Sequence, residues 1–407
     1  MSLFFIRIFF PLALGYYLSY FYRTVNAVIA PDLIAELDLS AADMGWVSSA
    51  YFASFALFQI PLGILLDRVE IRRICAALLL FAVLGAVIFS QAQSVGMLWF
   101  ARFCIGLGVS ACLMGAFKAY VIWIPAERLP LVNGLQLAAG GIGALTATAP
   151  VEMALQIAGW RSVFLVLAFC TLCCSVLIFI LIPKQNISVQ KESITTQLKG
   201  YLYILKHPVF YAVAPISSFA LCSFISLQSL WIGQWLRDVT HLPRDEAANY
   251  LFLAALATVL GYAVIGIIAS TLLRFGVNSK TVSVCGINLF IVIQIVIVLK
   301  VDLPIGLLWF AFGFIGTSGS LMYSFLLQQF EQKLSGRVIT SLNLLLFVLI
   351  FLMQWIMGVI INLWPLTAQE TPPVIAYQYA LGLGLVLQIA GVVWYFSQRS
   401  KLIALIK

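Results

Sequence analysis

Long apolar runs recur along the whole chain and are separated by short polar segments. Twelve of the runs approach or exceed 20 residues, the length that an α-helix needs to cross about 30 Å of hydrocarbon. The pattern therefore predicts twelve membrane-spanning helices. Their expected bounds are 5–30, 43–66, 74–93, 96–124, 130–151, 162–182, 208–236, 247–273, 279–300, 303–328, 338–363 and 374–397.

A long polar connector, "PKQNISVQKESITTQLKGYLYILKHP", separates the sixth predicted span from the seventh. Its "LKGYLYILK" portion mixes lysines with apolar residues, which predicts a short helix at the membrane interface. The connector lysines are Lys184, Lys191, Lys199 and Lys206. The predicted organisation is an N-terminal six-helix bundle (1–182), a basic cytoplasmic linker (183–207) and a C-terminal six-helix bundle (208–407).

The composition excludes a soluble globular protein. Of the 407 residues, 63% are hydrophobic and only 9% are charged, which is too little polar surface for a water-exposed domain of this size. The net charge of +8 is spread over short loops and not clustered on a basic face, so it does not indicate a nucleic-acid partner. We expect an all-α membrane protein with the lipid bilayer as its solvent.

The distribution of lysine and arginine predicts the orientation in the membrane. With alternating spans, sixteen of these residues fall on the side of the N-terminus and four on the opposite side. Cytoplasmic loops carry the excess of positive charge. The sequence thus predicts a multi-pass membrane protein with both termini in the cytoplasm.

The stretch "PLGILLDRVEIRR" places five charges within seven residues, between the second and third predicted spans. It resembles the loop signature of the major facilitator superfamily, G-x-L-x-D-R-x-G-R-R, with Glu70 in place of the second glycine. The resemblance implies a conformational latch in which arginines pair with the aspartate. Its residues would be Gly63, Asp67, Arg68, Arg72 and Arg73. The alternative is that these positive charges only set the topology.

Further stretches extend the resemblance along the chain. "RFCIGLG" at 102–108 is similar to the R-x-x-x-G-x-G pattern of the fourth helix, and "AGWRSVF" at 158–164 to the loop after the fifth. "LRFGVNSK" at 273–280 is similar to a second copy of the charged loop but lacks the aspartate. The resemblance implies two pseudo-symmetric six-helix bundles that act by alternating access, and a structural or coupling role for Arg102.

Polar residues within spans are costly and are therefore candidates for binding solute. In the first span they recur at steps of three and four, which places them on one helix face. They are Tyr16, Ser19, Tyr20, Arg23 and Asn26. Arg23 can clamp a carboxylate or phosphate with two hydrogen bonds. The alternative is that Arg23 extends to the membrane interface.

Other spans supply further substrate-binding candidates. Gln228 and Trp231 share a face of the seventh span, and Asn343 and Gln354 nearly eclipse in the eleventh. The remaining candidates are Lys118 and Tyr323. Lys118 could equally extend to the cytoplasmic interface, and the amides could serve only as interhelical hydrogen bonds.

Residues that could couple transport to an ion are scarce. Asp32 and Glu152 lie near the ends of the first and fifth predicted spans and could titrate if buried, although either could instead be a solvated carboxylate at the end of a loop. Arg102 is a third coupling candidate through the family resemblance. Proton coupling is accordingly an expectation from the family.

The leading functional prediction is a secondary active transporter that takes up a small organic anion, such as a polycarboxylate, an organic phosphate or a carboxylate siderophore. The resemblance to a bacterial branch of the superfamily implies that it lies in the bacterial inner membrane. A proton-driven exporter of amphipathic compounds and a non-transporting receptor are the alternatives. The sequence shows no cluster of metal ligands, no serine elbow and no phosphate-binding G-x-x-x-x-G-K loop, which argues against an enzyme, a metal or a cofactor. We expect a monomer.

Overall fold

The structure is a computed structural model that describes residues 5–125, 128–185, 193–331 and 334–398. All regular secondary structure in these ranges is helical. The chain forms two compact units, Met1–Lys191 and Glu192–Lys407, which meet within the polar connector. Lys191 lies outside the described residues.

The described part of the first unit contains eight α-helices, and a π-helical turn at Phe5–Phe9 precedes the first of them. Within this unit α1 packs on α7, α3 on α5, and α4 on both α5 and α8. The helices are α1 (Phe10–Thr24), α2 (Asn26–Leu37), α3 (Ala41–Arg68), α4 (Ile71–Ser90), α5 (Val95–Val109), α6 (Ala111–Trp123), α7 (Leu129–Thr146) and α8 (Ala149–Leu181).

The second unit starts with the helix predicted in the connector. In this unit α10 packs on α16 and α17, and α12 packs on α14. The helices are α9 (Ile194–Lys206), α10 (Pro208–Ser226), α11 (Ile232–Asp238), α12 (Arg244–Leu273), α13 (Ser279–Val298), α14 (Ile305–Gly316), α15 (Leu321–Leu327), α16 (Ser335–Ile361) and α17 (Val374–Ser397). A π-helical turn at Leu227–Trp231 joins α10 to α11, and a 3₁₀ turn at Thr317–Ser320 joins α14 to α15.

Ten long apolar helices in the described residues could each cross a membrane. They correspond to ten of the twelve predicted spans. The other two spans are also helical: the first is divided between α1 and α2, and the fifth is the 18-residue α7. The all-α membrane fold is confirmed.

Two interruptions of long helices in each unit fall at matching places. In the first unit they occur at Val25 in the first span and at Ser110 in the fourth. In the second unit they are the π turn in the first span and the 3₁₀ turn in the fourth. π turns and stretches of 3₁₀ helix inside a longer helix are frequent at functional sites. This correspondence agrees with the pseudo-symmetry implied by the family resemblance.

The helix that forms the sixth span begins earlier than predicted and includes Glu152. Thr148 precedes α8, Pro150 lies in its first turn, and Gly159 bends it with a φ of 65°. Proline is favoured in the first turn because no intrahelical hydrogen bond is lost there. Glu152 is therefore a buried residue at the start of α8 and not at the end of the fifth span.

Small residues allow α4 and α5 to approach closely. An added Cβ at Gly108 would lie 2.3 Å from the backbone nitrogen of Ala82, and one at Gly85 would lie 2.6 Å from the carbonyl oxygen of Ala101. Gly106 similarly faces the backbone of Tyr51 on α3. Helices in lipid associate through such close packing. The two glycines of "RFCIGLG" thus hold the centre of the first unit together.

A charged cluster ties α2 to the bend in α8. The Glu36 carboxylate accepts hydrogen bonds from Trp160 Nε1 (2.7 Å) and from an Nη of Arg161 (2.5 Å). Arg161 also donates to the carbonyls of Ser90 and Ala92 at the end of α4 and stacks on the Trp160 ring at 4.1 Å. The ends of α2 and α4 and the bend in α8 therefore meet at one guanidinium.

Acidification is expected to remove the stabilisation that Glu36 provides. The hydrogen bond from Trp160, followed by that from Arg161, lowers the pKa of Glu36 below its usual value. A lowered pKa in the folded state gives stability that is present above the unfolded pKa and is lost as the pH falls through the folded pKa. Because Glu36 is partly exposed, we expect an effect of about 0.5–1 kcal/mol.

Thermal unfolding of the purified protein between pH 7 and pH 3 measures this effect. Glu36→Gln should lower the Tm at pH 7, and the difference from the unchanged protein should vanish at the acid end. Asp38→Asn removes a nearby exposed carboxylate and serves as the matched control. A Tm difference that is the same at every pH would contradict the assignment.

Candidate substrate-binding site

Arg23 lies in the last turn of α1 and is half-buried. Its guanidinium carbon lies 5.0 Å from the centre of the Tyr20 ring and 5.6 Å from that of Phe52 on α3. Cation–π contacts of this kind hold a guanidinium in place without neutralising it. Among the described residues no carboxylate lies within ion-pair distance of Arg23.

Two tyrosines continue this surface along α1. The rings of Tyr16 and Tyr20 contact each other edge to face, with their centres 5.0 Å apart. Both lie against Gly140 of α7, where an added Cβ would be 2.5 Å from the Tyr16 ring. Tyr16 is buried, whereas Tyr20 remains half-exposed beside Arg23. Arg23 and Tyr20 are thus the accessible part of the predicted polar stripe.

Ser19 and Asn26 belong instead to contacts between helices. The hydroxyl of Tyr51 donates to the Ser19 carbonyl (2.9 Å), and Asn26 Nδ2 donates to Ser48 Oγ (2.9 Å). Both side chains are buried against α3. These two residues of the predicted polar stripe therefore hold α1 and α2 against α3.

Arg102 is fully buried within α5. It donates to the carbonyl of Tyr22 (2.7 Å), and its guanidinium carbon lies 5.2 Å from the centre of the Tyr51 ring. Within the described residues its Nε and second Nη have no hydrogen-bond partner. A backbone carbonyl and an aromatic face therefore take the place that a carboxylate usually fills beside a buried arginine.

The charged loop between α3 and α4 pairs differently from the expectation. Asp67 accepts from Lys118 Nζ at 2.7 Å, and Lys118 also donates to the Leu66 carbonyl. Arg72 and Arg73 bind Glu70, at 2.7 and 3.5 Å. The expected pairing of Arg72 and Arg73 with Asp67 is therefore wrong in this structure, because the residue in the second glycine position is an acid.

Lys118 lies with the loop charges and away from Arg23. Phe52, which contacts Arg23, and Asp67, which binds Lys118, are both on α3 and are fifteen residues apart. At 1.5 Å per residue this corresponds to about 22 Å along the helix axis. The long side chain reaches the helix end, as the alternative interpretation of Lys118 anticipated.

The candidates of the second unit gather around the π turn. Gln228 donates to Thr258 on α12 (2.8 Å), and Gln354 on α16 donates to Ser229 (2.7 Å). Trp231, at the end of the same turn, is almost fully buried, with no partner for its Nε1 in the described part of the chain. The sequence did not predict the roles of Thr258 and Ser229, because neither partner is visible in the periodicity of its own helix.

Tyr323 and Asn343 form a separate pair in the second unit. The Tyr323 hydroxyl donates to Asn343 Oδ1 (3.1 Å), and both side chains are half-buried. Like the residues around the π turn, they are neutral donors and acceptors. The predicted candidates of this unit therefore carry no charge.

The acidic coupling candidates are dispersed. Asp32 is half-buried in α2, and Glu152 is buried in the first turn of α8. A third carboxylate was missed, since the seventh span was predicted to end at residue 236. The helix continues to Asp238, which accepts a hydrogen bond from the buried Tyr377 of α17.

The Major Facilitator Superfamily profile matches residues 12–354. The chain belongs to the Major Facilitator Superfamily. This is a superfamily of membrane transporters and not of enzymes, the class that the sequence predicted. The match includes the charged loop after α3 and every substrate-binding candidate.

Similar superfamily members are named as transporters of organic acids. The chain is 28% identical over 156 residues to a probable sulfoacetate transporter of Cupriavidus necator, and 30% identical over 156 residues to the hexuronate transporter of Escherichia coli. Each match covers 38% of this chain, and 36% and 35% of the respective relative. A galacturonate transporter of Dickeya chrysanthemi is 28% identical, over 38% of this chain and 44% of the relative. These alignments thus span less than half of each relative.

Solved superfamily structures share the fold over nearly the whole chain. A bacterial homologue of the human lysosomal transporter Spinster, in an inward-facing unoccupied conformation, has a TM-score of 0.74 with 17% identity and 95% coverage of both chains. The nucleoside transporter NupG has a TM-score of 0.74 with 13% identity, over 97% of this chain and 99% of that chain. At these identities the likeness concerns the fold alone.

Proposed function

We propose that this protein is a secondary active transporter of the bacterial inner membrane that takes up a small organic anion, with Arg23 as the residue that binds the acidic group. The observation that carries the proposal is the half-exposed guanidinium held by Tyr20 and Phe52 without a carboxylate partner in the described residues. A cation kept within a membrane span without a counter-charge is costly unless it serves a ligand.

The chemistry of the second unit narrows the solute class. Its candidates are amides, hydroxyls and an indole, which hydrogen-bond hydroxyl and carbonyl groups without demanding charge. Such groups suit the hydroxyl and carbonyl groups of a small polar solute and provide no charge for a second acidic group. The names of the relatives, sulfoacetate, hexuronate and galacturonate transporters, support this class.

Coupling to protons would use a carboxylate that changes its protonation during the cycle. Asp32 and Glu152 remain our candidates in the first unit, and Asp238 is an additional one in the second. Glu152 is the most deeply buried of the three. Arg102, which binds the Tyr22 carbonyl and the Tyr51 ring, would act on the site through these two residues and not by carrying a proton.

Uptake into proteoliposomes tests the function. Purified protein should accumulate radiolabelled galacturonate, glucuronate or sulfoacetate under an inside-alkaline pH gradient, and a protonophore should abolish the accumulation. The uncharged sugar galactose is the matched control for galacturonate, because it retains the hydroxyls and lacks the acid. Equal transport of galactose, or no flux of any acid in either direction, would overturn the proposal.

A further inference from the structure

The connector helix α9 is fixed to the second unit. Tyr201 and Ile204 are buried, and they lie on the same face of the helix as the buried Gln197. An added Cβ at Gly200 would lie 2.6 Å from an Nη of Arg337 on α16, so the helix backbone rests directly on that guanidinium. α9 is therefore a docked element and not a loose tether.

The outward side of α9 forms an open groove with the start of α10. The groove has a volume of about 330 Å3. Its lining residues are Lys199, Leu202, Tyr203, Lys206, His207 and Pro208. Leu202 and Tyr203 are each more than half exposed, at 52% and 55%. Two large apolar side chains thus stay uncovered between two lysines.

The spacing of the lysines suits one charged headgroup. Lys199 and Lys206 are seven residues apart, which is two helical turns or about 10 Å along the axis. Their flexible four-carbon side chains can converge on a group bound midway between them. The exposed Leu198 continues the apolar strip beside Leu202 on the preceding turn.

His207 contributes shape and not charge. Its Nδ1 accepts a hydrogen bond from the backbone N–H of Val209 (3.3 Å), and its ring packs between Tyr203 and Phe330. Burial lowers the pKa of His207, so the imidazole is neutral at pH 7 and the lysines carry the positive charge of the groove. The N-terminus of α10 adds the positive end of its dipole at the same place.

We propose that this groove binds an anionic phospholipid, with the phosphate between Lys199 and Lys206 and an acyl chain along Leu202 and Leu198. The groove opens where a membrane-spanning helix starts, on the side that the charge distribution predicts to be cytoplasmic, and this leaflet carries anionic lipids. A soluble phosphate would bind the lysines but leave the apolar side chains in water. The proposal is independent of the solute that the protein transports.

Native mass spectrometry of the full-length protein in detergent tests the proposal. Phosphatidylglycerol and phosphatidylcholine with the same acyl chains are titrated against the unchanged protein, and phosphatidylglycerol should bind more tightly. The double variant Lys199→Gln and Lys206→Gln should lose about thirtyfold in phosphatidylglycerol affinity, since each lysine near a headgroup contributes about fivefold. Leu202→Gln should weaken the binding of both lipids.

A second double variant, Lys184→Gln and Lys280→Gln, removes two basic charges outside the groove, on the side predicted to be cytoplasmic. It should retain the preference for phosphatidylglycerol. If both double variants lose the same affinity for phosphatidylglycerol, the effect comes from the overall charge of the protein and the proposed site is wrong. Competition by glycerol phosphate at millimolar concentration would show a soluble phosphate as the ligand and overturn the lipid assignment.

Discussion

Replacing Arg23 by alanine is expected to weaken the binding of an organic anion about a hundredfold while the protein remains folded. A charge-assisted contact of the type that Arg23 offers contributes about 2–3 kcal/mol, and 1.4 kcal/mol corresponds to a factor of ten. The fold should tolerate the change because the described residues show no ion pair at Arg23, only the rings of Tyr20 and Phe52. Isothermal titration with the best substrate of the uptake assay, together with thermal unfolding, measures both quantities.

Graded variants distinguish charge from geometry at this position. Arg23→Lys keeps the charge but loses the planar fork, so it should fall between the unchanged protein and the alanine variant. Tyr20→Leu should weaken binding by removing the ring face, whereas Tyr20→Phe keeps that face. Arg274→Ala, a change of the same kind in an exposed loop, is the control and should bind normally. Unchanged affinity in Arg23→Ala would place its guanidinium at the lipid interface.

The membrane-spanning helices were predictable because each depends on a property of one continuous segment. A run of apolar residues long enough to cross the bilayer has to be helical, since lipid offers no partner for backbone polar groups. Interruptions are a different matter. Pro31 and Gly159 can be recognised in the sequence as residues that disturb helices. The first span is nevertheless interrupted at Val25 and not at Pro31. Nothing in "SLQSLWI" distinguishes a π turn from a continuous α-helix.

The site was predictable only in part. Helical periodicity predicts which residues share a face of one helix, but not which other helix packs against that face. Arg23 and Asn26 share a face of the first span, yet Ser48 covers Asn26, whereas Arg23 remains half-exposed. The pairing of Lys118 with Asp67 joins residues 51 positions apart, a distance at which sequence pattern carries no information. The charged motif predicted where the loop would lie, and the replacement by Glu70 decided which cations bind which acids.

The matching interruptions suggest how two units with different chemistry share one architecture. In the first unit the helix break at Val25 is next but one to Arg23, and in the second unit the π turn carries Gln228 and Trp231. A break lets side chains on either side of it point in directions that a continuous helix would not allow. The cation that we propose to bind the acidic group in the first unit and the neutral candidates of the second are therefore located at corresponding places of the two bundles.

Replacing Gly108 by leucine is expected to abolish the folded transporter. The added Cβ alone would lie 2.3 Å from the Ala82 nitrogen and 2.7 Å from its Cα, so the backbones of α4 and α5 would have to separate. Overpacking of this kind costs about 1–3 kcal/mol for small additions and more where backbone must move. Gly108→Ala should already lower the Tm, and Gly108→Leu should leave little monodisperse protein in size-exclusion chromatography.

Gly96 supplies the matched control on the same helix, because an added Cβ there meets nothing within 4 Å. Gly96→Ala should be neutral or stabilising, since alanine favours a helix by up to about 1 kcal/mol over glycine. Gly96→Leu should still elute as a single peak. If Gly108→Leu unfolds at the same temperature as Gly96→Leu and the unchanged protein, close packing of α4 on α5 does not depend on Gly108. The last glycine of "RFCIGLG" would then need another explanation.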